Sequence, residues 1–326
     1  MFLPFLLTAC SDNDEPGGET REKHVIEFAR PFVSHASRSE VTSENLSAFS
    51  VYCYLRKSGG APTFIYNGET VTRGNGDVWN CDKTEYWYPG FNYYFTGIAP
   101  TGLDGLKFEA VGSNSDTVDG GGIITYDIDP SRGQADVVYA FETVSTDGNR
   151  PLLPVEMEFD HQLAKVEFEF YNDLINPRLF INVNWIQIDG AVRRGTIDKT
   201  DPGAVWQSAE NEATWIGVGS VPLIHTDKPS VSTPVFLLPI SRDGMTITVK
   251  TQVFESQEDY GNEGFELTKE ESLQVPFPAI DMQPGRCYRL ICHLRPRNVE
   301  GGDGPLRPIS FSVEENPWTD MTPETP

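Results

Sequence analysis

The sequence has little basic charge and few histidines. Its 25 Lys and Arg residues stand against 48 Asp and Glu residues, which gives a net charge of −23 at pH 7. A surface of that sign repels phosphate backbones, so we expect no nucleic-acid partner. The 5 histidines are scattered without the spacing of metal ligands, and we therefore expect no metal site and no cofactor.

The sequence also lacks the motifs of common catalytic sites. It contains no GxSxG nucleophile motif, no Walker loop and no GxGxxG motif after a strand. The glycines at 120–122 are not followed by the lysine and helix that would hold a phosphate. Asp127 and Asp129 share one face of a predicted strand, but alternation along strands produces such carboxylate pairs routinely. We therefore predict that the protein is not an enzyme.

Long hydrophobic runs are absent, and the main apolar stretch lies at the N-terminus. Residues 1–9, with the sequence MFLPFLLTA, are shorter than the roughly 20 residues that span a bilayer and are typical of a signal peptide. Residues 7–10 resemble the bacterial lipobox, which implies cleavage before Cys10 and acylation of its thiol. Several acyl chains anchor a protein stably. The acidic run after Cys10 resembles the signal that exports lipoproteins to the outer face of the outer membrane, and this resemblance implies an outer-membrane lipoprotein with residues 10–23 as an acidic linker. A plain solvated linker is the alternative.

The lipobox interpretation has one missing feature and one alternative. No Lys or Arg precedes Cys10, so we expect the natural start codon to lie further upstream. The alternative is a free cysteine that follows an accidental apolar start.

Four further cysteines suit an exported protein, because disulfides persist outside the cytosol. They are Cys53, Cys81, Cys287 and Cys292, and none of them forms a CxxC motif. Cys287 and Cys292 are five residues apart in a strand-like run and point to opposite faces, so we do not expect them to bridge. If a disulfide forms, we expect it between Cys53 and Cys81. Four buried free thiols are an equal alternative.

From His24 onward, strand signals dominate and helical periodicity is nearly absent. Short runs of alternating, β-branched and aromatic residues are separated by Gly, Pro, Asn and Asp, which is typical of an antiparallel all-β protein. The predicted strands are 24–33, 48–56, 63–66, 91–98, 123–128, 137–141, 155–160, 163–171, 179–189, 235–238, 245–254, 265–275, 288–294 and 309–314. This number of strands predicts two β-sandwiches, and a turn-rich break at 147–151 separates residues 24–153 from residues 154–326.

The strand at 163–171 carries the clearest alternation. Val166, Phe168 and Phe170 alternate with Glu167 and Glu169. We expect the three apolar side chains to face the core of the second sandwich and the two glutamates to face solvent.

Aromatic residues crowd between positions 86 and 95. They are Tyr86, Trp87, Tyr88, Phe91, Tyr93, Tyr94 and Phe95. Bulky residues that alternate in a sandwich usually form its core, and we favour that interpretation. A platform on which sugar rings stack is the alternative, and it would make the protein a glycan-binding lipoprotein of the outer-membrane surface.

A series of short motifs occurs in order along the chain. They are the lipobox at Cys10, FSVY (49–52), YWYP (86–89), YFTGIAP (94–100), QADVVYA (134–140), FDHQLAKV (159–166), FLLP (236–239), PGRCY (284–288) and ISFSV (309–313) before Trp318. In this order they resemble the fimbrillin superfamily, whose members are subunits of type V pili, and the resemblance spans about residues 23–318. It implies two tandem transthyretin-like antiparallel β-sandwich domains and a lipoprotein at the cell surface.

The resemblance also implies a mechanism of assembly. In that family a protease specific for Arg or Lys cuts the loop after the first strand, and a partner subunit replaces the strand that leaves. Here the first strand would be 24–33, and Arg38 in the polar loop 34–47 is the expected cleavage site. Arg21 and Arg30 are poorer candidates, and Arg38 is otherwise a solvated loop residue.

Two sets of apolar residues would carry the exchange of strands between subunits. We expect Ile26, Phe28 and Phe32 to fill the core of the first domain. The C-terminal donor strand would use Ile309, Phe311 and Val313, which alternate in the same sense. The implied function is a pilus subunit or a pilus-associated adhesin. Its partners would be other pilus subunits, the outer membrane and host or bacterial surface ligands.

Overall fold

The computed structural model describes residues 24–34, 41–57, 60–75, 78–110, 120–129, 131, 134–146, 153–209, 213–255, 268, 270–299 and 308–317. In these ranges the chain forms strands and one short helix, α1 (Pro296–Val299), and the all-β prediction is confirmed. No helix in these ranges is long and apolar enough to cross a membrane.

The strands alternate buried and exposed positions over much of their length, as their sequences predict. In chain order they are β1 (Phe32–Val33), β2 (Ala48–Arg56), β3 (Thr63–Arg73), β4 (Trp79–Cys81), β5 (Asn92–Ala99), β6 (Leu106–Ala110), β7 (Gly122–Asp127), β8 (Val138–Ser145), β9 (Glu158–His161), β10 (Ala164–Asn172), β11 (Phe180–Val192), β12 (Arg194–Asp198), β13 (Gln207–Ser208), β14 (Ala213–Ile224), β15 (Ser230–Val231), β16 (Val235–Leu237), β17 (Thr246–Phe254), β18 (Glu271–Pro276), β19 (Arg286–Leu294) and β20 (Ser312–Pro317).

A seven-stranded sheet occupies the N-terminal half of the chain. Its strand order is β1-β9-β8-β5-β2-β3-β4. The interior strand β2 places Phe49, Val51 and Cys53 on one face, where each is almost fully buried. These side chains join Tyr93 and Phe95 of β5 in one apolar cluster. The cluster is the core against which the N-terminal segment packs.

Three further sheets share a second and larger core. One has five strands, in the order β15-β10-β19-β20 with β16 also paired to β10. The other two have four strands each, in the orders β14-β11-β17-β18 and β13-β12-β7-β6. Most strand pairs are antiparallel, as predicted, but β1 with β9 and β10 with β19 are parallel. Parallel neighbours need a long crossover connection, and the separation of β10 from β19 along the chain supplies one.

Two strand pairings cross the position at which we expected the domains to divide. Strand β9 lies after residue 153 but pairs with β8 in the seven-stranded sheet. Strand β7 lies before that position but pairs with β12. The division into residues 24–153 and 154–326 therefore stays a prediction, as does the tandem arrangement of two sandwiches.

Strand β10 confirms half of the prediction made for it. Val166, Phe168 and Phe170 are fully buried, at 0% exposure. Glu167 and Glu169 are also buried, at 9% and 7%, so the prediction that they face solvent is wrong. Arg289 of the adjacent strand β19 forms ion pairs with Glu167 at 3.1 Å and with Glu169 at 3.4 Å. Lys165 adds a second partner 2.8 Å from Glu167, and these ion pairs offset the cost of burying the carboxylates.

The disulfide between Cys53 and Cys81, which we expected only if a bridge formed, is absent, and the equal alternative without a disulfide is confirmed. In the described part of the chain, Cys53, Cys81, Cys287 and Cys292 form no disulfide, and all but Cys81 are buried. Strand β3 lies between β2, which carries Cys53, and β4, which carries Cys81. Two strand spacings are about 9 to 10 Å, beyond the roughly 7 Å that a disulfide spans between Cα atoms.

Candidate strand-exchange site

Residues 24–34, which include β1, lie between β4 and β9, the two strands that would be the edges of the seven-stranded sheet without this segment. On one side, single β-bridges join Val25 to Tyr86 and Phe28 to Trp79 of the edge strand β4. On the other side, Phe28 bridges Val155, and β1 then pairs with the edge strand β9. The predicted continuous strand 24–33 is therefore replaced by three single bridges, made by Val25 and Phe28, followed by the two-residue strand β1. The segment links both edges of the sheet.

Backbone hydrogen bonds hold this segment along both of its sides. Towards β4, the N–H of Ile26 donates to the carbonyl oxygen of Glu85 at 2.9 Å, and the N–H of Trp87 donates to His24 at 2.9 Å. Towards β9, the N–H groups of Ala29, Phe32 and Ser34 donate to the carbonyls of Val155, Met157 and Phe159 at 2.9, 3.0 and 2.9 Å. The segment thus satisfies backbone groups that the two sheet edges would otherwise expose.

Three side chains of the segment fill the first core. Ile26, Phe28 and Val33 are 4%, 4% and 3% exposed. The ring of Phe28 has its centroid 5.8 Å from that of Phe49 and 6.0 Å from that of Phe95. Burial of three such side chains stabilises the segment by about 5 to 9 kcal/mol, at about 1.5 to 3 kcal/mol each.

Phe32 does not fill the core, contrary to the prediction. Its side chain is 57% exposed, and its neighbour Val33 takes the inward position. In the register of β1 with β9, Val33 pairs with the buried Phe159 and Phe32 pairs with Glu158. The alternation slips between Phe28 and Pro31, which has no N–H to continue the hydrogen-bond pattern. A simple two-residue period therefore predicted the wrong face for Phe32.

Hydrogen bonds hold the loop 34–47 on both sides of Arg38, at Ser34 and at Val41. At Ser34 the hydroxyl donates to Asp160 Oδ1 at 2.7 Å, and at Val41 the N–H donates to Asp136 Oδ2 at 3.2 Å. Arg38 itself lies outside the described residues, as do Cys10 and Arg21. Arg30 is described and exposed, with its guanidinium 3.5 Å from the carbonyl oxygen of Ser43.

A buried histidine, His161, lies beside this loop, and its sequence pattern did not indicate that it would be buried or paired. His161 Nδ1 lies 2.7 Å from Asp136 Oδ2, and both side chains are 1% exposed. The same carboxylate accepts the N–H of Val41, so the pair connects the end of β9 to the loop 34–47 at Val41. Within the described ranges no group of three or more His, Cys, Asp and Glu side chains is suited to hold a metal ion.

The C-terminal segment begins in the core and ends as an edge strand. Ile309 is buried at 5%, and the ring of Phe311 packs against those of Phe168 and Phe170 at 5.5 and 6.2 Å. Strand β20 follows, pairs only with β19 among the described strands and is mostly exposed. Val313 is 37% exposed. The donor role of Ile309, Phe311 and Val313 stays a prediction.

The aromatic residues between 86 and 95 form core rather than a platform. Trp87, Tyr93 and Phe95 are 7%, 0% and 0% exposed and pack edge-to-face or stacked on one another. Burial raises the pKa of Tyr93 to about 12. Tyr86 and Phe91 are half-buried, and Tyr88 is the one exposed member, with 46% of its side chain exposed. The favoured core interpretation is confirmed, and a sugar-stacking platform of these seven residues is wrong.

Comparison with known proteins decides the family. The sequence signature described as fimbrillin-like matches residues 36–318, which is most of the chain. The chain belongs to the fimbrillin-like family. This membership confirms the resemblance found in the order of its motifs. No curated protein matches the fimbrillin-like chain in sequence.

Solved structures provide a further comparison for the fimbrillin-like chain. A candidate cell adhesion protein from Bacteroides uniformis is 14% identical, with a TM-score of 0.51 over 93% of this chain and 100% of that one. A candidate cell adhesion protein from Bacteroides ovatus is 12% identical, with a TM-score of 0.54 over 91% and 99%. Both likenesses support a shared fold. The fimbrial anchor protein Mfa2 from Porphyromonas gingivalis is 12% identical over 91% of this chain and 97% of that one, with a TM-score of 0.34.

Proposed function

We propose that the protein is a cell-surface subunit of a type V pilus, or a pilus-associated adhesin, and that it assembles by exchange of residues 24–34. One observation carries the proposal. The segment joins both edges of a sheet through backbone hydrogen bonds, yet it continues into the rest of the chain only through the loop after Ser34. Membership of the fimbrillin-like family supports the same function.

The energetics of the segment suit a strand that leaves only after cleavage. Contacts worth about 5 to 9 kcal/mol keep it bound while it is tethered. A cut in the loop removes the tether, so the segment no longer rebinds at the high effective concentration of a linked chain. Its loss uncovers Phe49 and Phe95 together with two unpaired sheet edges. A strand from another subunit can then occupy the groove by β-augmentation.

Arg38 is the proposed cleavage site, and Cys10 is the proposed site of lipid attachment. Because Cys10 precedes Arg38 in the chain, a cut after Arg38 separates the lipid from the body of the protein once the segment leaves. A copy that is not cut keeps both the segment and the lipid. Cleavage would thus distinguish a polymerising subunit from an anchor at the outer membrane.

Strand β20 is the proposed donor to the next subunit. It is an edge strand with both faces largely exposed, and in the described ranges only β19 pairs with it. Fewer contacts hold an edge strand than a central one, so β20 is more easily withdrawn than the interior strands β10 and β19. Ile309 and Phe311 would leave the core with it.

Limited trypsin digestion of the full chain tests this function. The chain carries Cys10→Ala so that it stays soluble, and unboiled electrophoresis reports polymer ladders. We expect the parent to form ladders after digestion and the Arg38→Ala variant to stay monomeric. Arg30→Ala is the matched control, because it removes an exposed arginine from the segment itself, and it is expected to behave like the parent. Deletion of residues 309–326 is also expected to abolish ladders.

Two results would contradict the proposal. Unchanged ladders from Arg38→Ala would remove Arg38 from the mechanism and direct attention to Arg21 or Arg30. A parent that is fully cut at Arg38 and still runs as a monomer at high concentration would refute assembly by strand exchange.

A further inference from the structure

The sheet β14-β11-β17-β18 has an outward face that differs from an ordinary solvated surface. Its inward face is apolar, with Ile186, Ile188 and Val249 fully buried. The outward positions form what we name the tryptophan face. Its members are Trp185, Gln187, Asp189, Trp215, Gly217, Thr246, Thr248, Lys250 and Gln274.

Two tryptophans flank a glycine on this face. Trp215 is 44% exposed, and Trp185 is half-buried. A Cβ atom on Gly217 would lie 3.0 Å from Trp185 Cη2 and 3.3 Å from Trp215 Cζ3, so both rings approach the bare backbone between them. A Cβ on Gly219 would meet nothing within 4 Å, so open space adjoins the pair. Large aromatic surface left open to solvent is a mark of a binding surface.

Polar side chains continue the face beside the rings. In the strand register, Asp189 lies between Trp215 and Thr246, and Gln187 lies between Gly217 and Thr248. The indole N–H of Trp185 donates to Gln187 Oε1 at 3.2 Å, and the amide of Gln187 donates to Asp189 Oδ1 at 2.5 Å. The hydroxyl of Thr248 donates to Asp189 Oδ2 at 3.3 Å. This chain of hydrogen bonds holds the donors and acceptors in place before any ligand arrives.

The charge of the face fits an uncharged ligand. The ammonium of Lys250 lies 3.1 Å from Glu270 Oε1, so its charge is paired. Asp189 is the remaining carboxylate, and the whole chain carries a net charge of −23, which disfavours an anionic ligand. The hydrogen-bonding groups are amide, hydroxyl and carboxylate, which together both donate to and accept from hydroxyl groups.

We propose that the tryptophan face binds a neutral polysaccharide. The rings of Trp185 and Trp215 stack against the C–H faces of sugar rings, and Gln187, Asp189 and Thr248 bond to their hydroxyl groups. A protein partner fits less well, because the core of a protein interface is more apolar than these rows of Thr and Gln. The inference deepens the adhesin part of the proposed function by naming its ligand class, and it rests on that function only for its biological use.

Affinity electrophoresis of the full chain with Cys10→Ala tests the inference. Native gels contain yeast mannan, guar galactomannan or dextran as neutral probes and alginate as an anionic probe. We expect at least one neutral probe to retard the parent and alginate to leave it unretarded. For Trp215→Ala we expect the polysaccharide concentration that gives half-maximal retardation to rise at least tenfold. Trp215→Phe is expected to keep part of the retardation, because it retains an aromatic ring.

Tyr88→Ala is the matched control, because Tyr88 is 46% exposed and lies outside the tryptophan face, in the connection between β4 and β5, and we expect it to bind like the parent. The inference is overturned if no neutral probe retards the parent, if alginate retards it more strongly, or if Trp215→Ala binds as well as the parent. A parent that self-associates while Trp215→Ala does not would also overturn it, because a second copy of the chain would then cover the face. Ladder formation by trypsin-treated Trp215→Ala is expected to match the parent, which separates this inference from strand exchange.

Discussion

Phe28→Ala removes the largest side chain that residues 24–34 place in the core. The ring is 4% exposed and packs against Phe49, Tyr66 and Phe95 at centroid distances of 5.8, 6.0 and 6.0 Å. Burial of a phenylalanine is worth about 1.5 to 3 kcal/mol, and the cavity left behind adds to the loss. We therefore expect the substitution to lower the free energy of unfolding by about 3 to 5 kcal/mol.

Phe32→Ala is the matched control, since it makes the same chemical change four residues away. Phe32 is 57% exposed, so its loss is expected to change the free energy of unfolding by less than about 0.5 kcal/mol. Urea unfolding of the full chain, followed by tryptophan fluorescence, measures both variants, and Trp79 and Trp87 report from the same core as Phe28. Equal effects at the two positions would refute the placement of the segment and the account of how it is held.

Three more predictions follow from burial and acylation. Cys10→Ala is expected to move the protein from the membrane fraction to the soluble fraction, because the acyl chains supply the anchoring energy; a variant that stays with membranes would contradict this. Phe168→Ala is expected to cost about 3 to 5 kcal/mol in urea unfolding, because its ring is 0% exposed, and a cost below about 1 kcal/mol would count against the register of β10. Burial raises the pKa of Cys292, Tyr93 and Tyr139 to about 12, so the unfolded chain ionises these groups first. Their contribution to the free energy of unfolding is therefore complete at pH values below the ordinary pKa values, and it is lost as the pH rises from about 9 to 12. Melting temperatures measured from pH 7 to 11 would reveal this loss, and a flat profile would contradict it.

Much of the strand pattern follows from the sequence where one face of a strand meets the core. The prediction for residues 48–56 coincides with β2, because Phe49, Val51 and Cys53 alternate with less buried residues. Alternation identifies a face, but it does not say what covers that face. Glu167 was therefore assigned to solvent, although Arg289 from a distant part of the chain covers and pairs with it.

The sites were harder to predict than the strands, because they depend on register between distant segments. Strand β14 was not predicted, since Gly217 and Gly219 weaken a strand signal. Trp215, Gly217 and Gly219 nevertheless alternate with the buried Ile216 and Val218, and this pattern would have revealed an outward tryptophan. Its neighbour on β11 was not predictable, because irregularities in the pairing of β11 with β14 set the register that places Trp185 beside it.

N-terminal sequencing of the protein from isolated pili tests the central claim most directly. If cleavage after Arg38 allows the first segment to be exchanged, the copies in the pilus shaft begin at Ser39 and carry no lipid. Copies that remain in the membrane fraction are expected to begin at the acylated Cys10. A pilus fraction whose copies all retain residues 24–34 in the same chain, or that contains none of this protein, would contradict assembly by strand exchange.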